Sequence, residues 1–132
     1  MEDQKPTKTV LWVASSKDDL KIMPKDVVTN IGYALHQAQS GEHPSIAKPL
    51  KGFGGASVIE LCDDYKGDTF RAVYTVRFEE AIVVLHSFQK KSTHRIATPK
   101  HEIDLIHARL KLAEELYKKW KSKRGKSNAS TK

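Results

Sequence analysis

FRAVYTVRFEEAIVVLHSFQKK, residues 70–91, is the stretch on which the fold turns. Two runs rich in valine, isoleucine and aromatic residues are separated by a pair of glutamates. Each reads as a strand, FRAVYTVRF over 70–78 and AIVVLHSFQ over 81–89. The break between them is too short for anything but a hairpin, so the pair is antiparallel. SVIELC at 57–62 joins them through the turn DDYKGD, which makes an antiparallel meander.

Upstream, TVLWVA at 9–14 is a first short strand, and Ser16 with Asp19 has the spacing of a capping box that opens a short helix through Leu20 and Ile22. Pro24 suits the first turn of a second helix, in which Val27, Val28, Ile31, Ala34, Leu35 and Ala38 recur at helical spacing as far as Ser40-Gly41. GEHPSIAKPLKGFGGAS, 41–57, is a loop that carries Lys48 and Lys51. Downstream, Thr98-Pro99 is a cap and first-turn pair. The helix it opens has a stripe of Ile103, Ile106, Leu110, Ala113, Tyr117 and Trp120, widened by Leu105, Leu112 and Leu116. The expected class is α+β, in the order β-α-α-β-β-β-α: an antiparallel sheet with an N-terminal helix pair and a long C-terminal helix.

The chain has 132 residues, enough for one modest core, expected over 1–124. Its formal charge is +7, from 23 Lys and Arg against 16 Asp and Glu. Residues 118–132, KKWKSKRGKSNASTK, hold seven of those positives and no acid, so 23 − 7 = 16 balances the rest. The body is formally neutral, and any anion site in it must be local. The Ser, Lys, Gly and Asn of 125–132 predict a basic disordered tail. No apolar run approaches the roughly 20 residues of a membrane helix, and MEDQKPTKTV has no signal core. With Cys62 unable to form an internal disulfide, the expected location is the cytoplasm, with no membrane partner.

Strand alternation places Ile82, Val84, His86, Phe88 and Lys90 on one face, and Arg71 with Val73, Thr75 and Arg77 on one face of the neighbouring strand. Antiparallel pairing then brings Arg71 to the Lys90 end and Arg77 to the other. Lys48, Lys51, Arg71, His86, Lys90, Lys91 and Arg95 can form a basic pocket suited to a phosphodiester. Cations neutralise charge on the phosphorus-bound oxygens, and a lysine or histidine of lowered pKa moves protons. Phe88 or Tyr74 is placed to stack on a base. The plainer alternatives are solvated strand-end lysines, a core histidine at 86, and an ion pair of Arg71 with Asp63 or Asp64. Cys62 reads as a small buried strand residue. His36, His43, His101 and His107 lack metal-ligand spacing, and no phosphate loop is present.

VLHSFQKK followed by TPKHEIDLIHARL, together with KPLKGFGG, VIEL and FRAVYTVRF in this order, resembles the phage-derived, HigB-type branch of the RelE/ParE toxin superfamily across residues 9–117. The resemblance implies a small RelE-like domain that is the toxin of a type II toxin–antitoxin pair. It implies a metal-independent endoribonuclease without a cofactor, which cuts messenger RNA on the translating ribosome and is neutralised by a helix-turn-helix antitoxin. The implied reaction is attack of a ribose 2′-hydroxyl on the adjacent phosphate. By position, the resemblance makes Arg71 and Lys90 phosphate and transition-state stabilisers and His86 or Lys91 the proton-transfer group, with Lys48 and Lys51 in a basic loop. His94 and Arg95 are further candidate RNA contacts. Cys62 stands where many relatives have an arginine. Two rival readings remain: a ParE-like DNA gyrase inhibitor, and a noncatalytic RNA-binding phage accessory protein.

Overall fold

The computed structural model describes residues 7–54, 57–90 and 98–130, with side chains as far as Arg124. The elements run β1 (Thr9–Trp12), α1 (Ser16–Lys21), α2 (Lys25–Gln39), β2 (Ala47–Pro49), β3 (Val58–Tyr65), β4 (Asp68–Thr75), β5 (Ala81–Lys90) and α3 (Lys100–Ser130). Backbone helix therefore continues to Ser130, where the sequence alone predicts a disordered tail.

The meander forms as expected, with β3–β4 and β4–β5 antiparallel. Its first turn is fixed by Lys66 and Gly67, both at positive φ (51° and 89°) between the paired residues Tyr65 and Asp68. That geometry is a two-residue turn whose twist matches the strands, and glycine is favoured there because no Cβ opposes a positive φ.

Three expectations are corrected. The 41–57 loop contains a strand, β2, which pairs antiparallel with β3. The sheet is mixed, in the order β1-β5-β4-β3-β2, because β1 lies parallel to β5 from Thr9↔Ala81 to Trp12↔Val84. A parallel partner needs a long connection, and the helices and meander between β1 and β5 provide it. Thirdly, Ser16 does not cap α1: Ser15 occupies the N-cap position, and the buried Ser16 Oγ donates to the Val84 carbonyl at 3.2 Å.

The helices cover opposite faces of the sheet. Val27, Ile31, Ala34, Leu35 and Ala38 of α2 pack on Ile59, Leu61, Phe70, Ala72, Tyr74, Ile82 and Val84. Ile106, Leu110 and Ala113 of α3 pack on Val13, Leu50, Val58, Val73, Val83, Leu85 and Phe88. Burying Ile106 completely contributes about 1.5–3 kcal/mol. Leu112, expected on this stripe, is 52% exposed instead.

A β-bulge divides β5. Tyr74 is opposite Val84 and Val73 is opposite His86, so Leu85 has no partner on β4. An unpaired residue inverts the alternation beyond it. Ile82 and Val84 consequently face α2, whereas His86 and Phe88 face α3; the sequence reading had put all four on one face.

Candidate functional site

The strand registers set the site out in rows on the α3 face. Lys48, Glu60, Val73 and His86 lie in one cross-strand row, Cys62, Arg71 and Phe88 in the next, and Asp64, Thr69 and Lys90 in the third. Arg71 thus lies at the Lys90 end of the sheet. Lys48 and Lys51 are exposed on β2 and the loop after it, where Phe53 stacks on His107 of α3 at 4.0 Å between ring centroids. Between this loop and α3 is a cleft of about 320 Å³ lined by Lys48, Leu50, Lys51, Glu60, Thr98 and Ile103.

Arg71 is held by an acid that the sequence reading missed. Its Nη1 lies 3.0 Å from Glu60 Oε1, with the side chains only 4% and 1% exposed. Thr98 completes the clasp: its hydroxyl donates to Glu60 Oε2 at 2.6 Å and accepts from Arg71 Nη1 at 3.2 Å. Burying two charges costs several kcal/mol per ion, and such a pair persists only when further hydrogen bonds satisfy it. Thr98 supplies one of them. Asp63 and Asp64, the acids expected to pair with Arg71, engage Asn30 and Thr69 instead. The signal for Glu60 was there to read: a lone acid inside the apolar run SVIELC.

Lys90 is 9% exposed. Burial pushes its pKa below the usual lysine value, the Arg71 and Lys48 charges act the same way, and Glu60 opposes them. Loss of its proton is correspondingly easier.

His86 sits in a different set of bonds. Its Nε2 is 2.7 Å from Glu102 Oε1, and Arg109 Nη1 donates to its Nδ1 at 3.2 Å. Because a guanidinium only donates, Nδ1 carries no proton, and the ring is the Nε2–H tautomer donating to Glu102. Burial lowers the His86 pKa; the Glu102 bond raises it, and Arg109 lowers it again. Both ring nitrogens are occupied. Arg109 Nη1 also donates to the carbonyl of the bulge residue Leu85 at 3.0 Å, which ties α3 to β5. Glu102 and Arg109 are a second pair that sequence reading missed, since charged residues on a helix ordinarily face solvent.

Neither proposed stacking residue is presented to a base. Phe88 is 8% exposed, and its ring stacks on His86 at 4.6 Å. Tyr74 is buried on the α2 side, with its hydroxyl pKa pushed up to about 12 by burial. Cys62, next to Arg71 across the hairpin, has its thiol pKa raised by burial and by Glu60. Lys91, His94 and Arg95 lie outside the described residues. Among the described residues, no three His, Cys, Asp or Glu side chains are grouped to hold a metal ion, and no helix is long and apolar enough to cross a membrane.

Residues 18–111 match the family described as phage derived protein Gp49-like. The chain belongs to the phage-derived Gp49-like family. No curated protein matches this Gp49-like chain. Among solved structures it is similar to a chain from the crystal structure of the toxin–antitoxin complex RelBE2 of Mycobacterium tuberculosis. Identity there is 20% and the TM-score 0.45, covering 67% of the Gp49-like chain and 98% of the other.

Proposed function

We propose that this Gp49-like protein is the toxin of a type II toxin–antitoxin pair, and that it cleaves messenger RNA on the translating ribosome without a metal cofactor. The observation that carries the reading is the placement of Arg71, Lys90 and Lys48 on one face at one end of the sheet, in a body without net charge. Three cations gathered there suit the dianionic phosphorane of an RNA transesterification. The motifs VLHSFQKK and KPLKGFGG, and membership of the Gp49-like family, support the same reading.

In the proposed reaction the 2′-oxygen forms a bond to phosphorus as its proton leaves. The bond from phosphorus to the 5′-oxygen then breaks, giving a cyclic phosphate and, after protonation, a 5′-hydroxyl. Lys90, with its lowered pKa, is the group suited to move a proton; His86 is not, because both its nitrogens are bonded. Arg71 stabilises the phosphorane, with Glu60 as the group that positions its guanidinium. Lys48 and Lys51 contact neighbouring phosphates, with Lys91, His94 and Arg95 as further contacts. The antitoxin partner is of the helix-turn-helix kind.

One observation favours the noncatalytic RNA-binding alternative: the Arg71 charge is already matched by Glu60. The test is to incubate purified protein with RNA, with and without translating ribosomes, and to map new 5′ ends. New ends inside reading frames, lost in Lys90→Ala, support the nuclease. RNA binding without new ends supports the alternative, and intact messages with inhibited DNA gyrase would indicate a gyrase poison.

A further inference from the structure

A second concavity opens on the other side of the same strand. Ser87 and Gln89 of β5, Asp68 and Phe70 of β4, and Asp19 and Met23 near the α1–α2 junction line a pocket of about 480 Å³. Three independent observations describe what it would accept. Ser87 is 2% exposed, and its Oγ has no hydrogen-bond partner. A buried hydroxyl in that condition is unfavourable until something supplies a bond. The ionisable side chains lining the pocket are Asp19 and Asp68, both acids. Finally, β1 pairs with β5 only as far as Val84, while β5 runs on to Lys90. Beyond Val84 it is α1 that packs beside β5, so the pocket is bounded by the α1–α2 junction on one side and by β4 and β5 on the other.

We infer that this pocket takes an arginine side chain from a partner polypeptide. A guanidinium carries five N–H donors in a flat fork, and here acceptors come from separate elements: Asp19, Asp68, the Ser87 hydroxyl and the Gln89 amide oxygen. Phe70 and Met23 provide the apolar wall along which an arginine stem lies. A nucleotide fits less well, because its phosphate would have to pass the two carboxylates. The inference concerns the face opposite Arg71 and Glu60 and does not depend on the nuclease reading.

The test uses the isotopically labelled full chain, titrated with N-acetyl-arginine amide, its neutral isostere N-acetyl-citrulline amide, and guanosine monophosphate, while amide chemical shifts are followed by NMR. Saturable shifts at Asp68, Ser87 and Gln89 are expected with the arginine amide. They should be weaker by about tenfold with citrulline amide, and with the arginine amide on Asp68→Asn, as befits loss of a charge-assisted bond. Ser87→Ala, which breaks no internal hydrogen bond, should fold normally and bind the arginine amide more weakly. Equal responses to the arginine and citrulline amides overturn the inference. So do shifts produced by guanosine monophosphate alone, or no response to any probe up to its solubility.

Discussion

The Thr98 hydroxyl donates to Glu60 Oε2 across 2.6 Å, and the same oxygen accepts from Arg71 Nη1. Thr98 opens the segment that leads into α3, whereas Glu60 and Arg71 are fixed on neighbouring strands. Docking of α3 and satisfaction of a buried ion pair are therefore one event.

That coupling makes Glu60 costly to remove by itself. Glu60→Ala should destabilise the fold by about 3–5 kcal/mol, because it leaves the Arg71 charge buried without its acid. Glu60→Leu combined with Arg71→Met should recover most of the loss, since an apolar pair of similar volume has no charge to desolvate. Thr98→Ala should cost about 1–3 kcal/mol. Urea denaturation of the four proteins checks the series. A Glu60→Ala loss below 1 kcal/mol would mean that the pair is solvated in solution.

The role of Lys90 is separable by charge. Lys90→Arg keeps the cation but cannot give up its proton, so it should lose about 10²-fold or more in single-turnover RNA cleavage, nearly as much as Lys90→Ala. Since burial lowers the Lys90 pKa, the wild-type rate should climb with pH and level off below 10.5, the ordinary lysine value. An active Lys90→Arg enzyme would assign Lys90 to charge stabilisation alone.

His86 should make the fold sensitive to acid. The folded ring holds its proton less tightly than the unfolded one, whose pKa is the ordinary 6.5. Between the folded value and 6.5, unfolding takes up a proton, so stability is complete above the unfolded pKa and falls as pH falls through that window. His86→Gln should flatten this part of the profile. Thermal denaturation between pH 5 and 8 shows the difference, and parallel profiles for the two proteins would contradict the lowered His86 pKa.

The β3–β4 turn offers a test away from the site. Gly67→Ala should cost about 1–2 kcal/mol, because a Cβ at φ 89° meets the backbone. Cleavage activity should not change. A shift in the urea midpoint with unaltered activity would meet both expectations.

Several of these features were legible in the residues and others were not, for physical reasons. The spacing of apolar residues located both long helices and all three meander strands, because one buried face imposes its period on the sequence. Strand β2 was hidden, since AKP within a Gly/Pro-rich stretch has no alternation to read. The parallel placement of β1 depends on contacts distant in the chain, to which local pattern is blind. Arg71 and Lys90 could be grouped from register alone, Lys48 only as part of a basic loop. The orientation of His86 could not, because a bulge is a one-residue event within a run, AIVVLH, that is apolar on both faces. The burial of Phe88 and Tyr74 was hidden for a related reason: aromatic type signals stacking capacity, but not which ring is already covered. Thr98 looked like a helix cap, yet its hydroxyl bonds Glu60 on β3.

The bulge at Leu85 has a mechanical consequence. It turns one ten-residue strand into two rods whose side-chain alternation is out of step. The first rod, Ala81–Val84, is clamped between β1 and β4, while the second, ending at Lys90, has a strand on one side only. Twist concentrates at a bulge, and the carbonyl there is gripped by Arg109. The side of the sheet on which Lys90 emerges is thus set at one peptide: without the extra residue, alternation from Val84 would send Lys90 to the α2 side, away from Arg71.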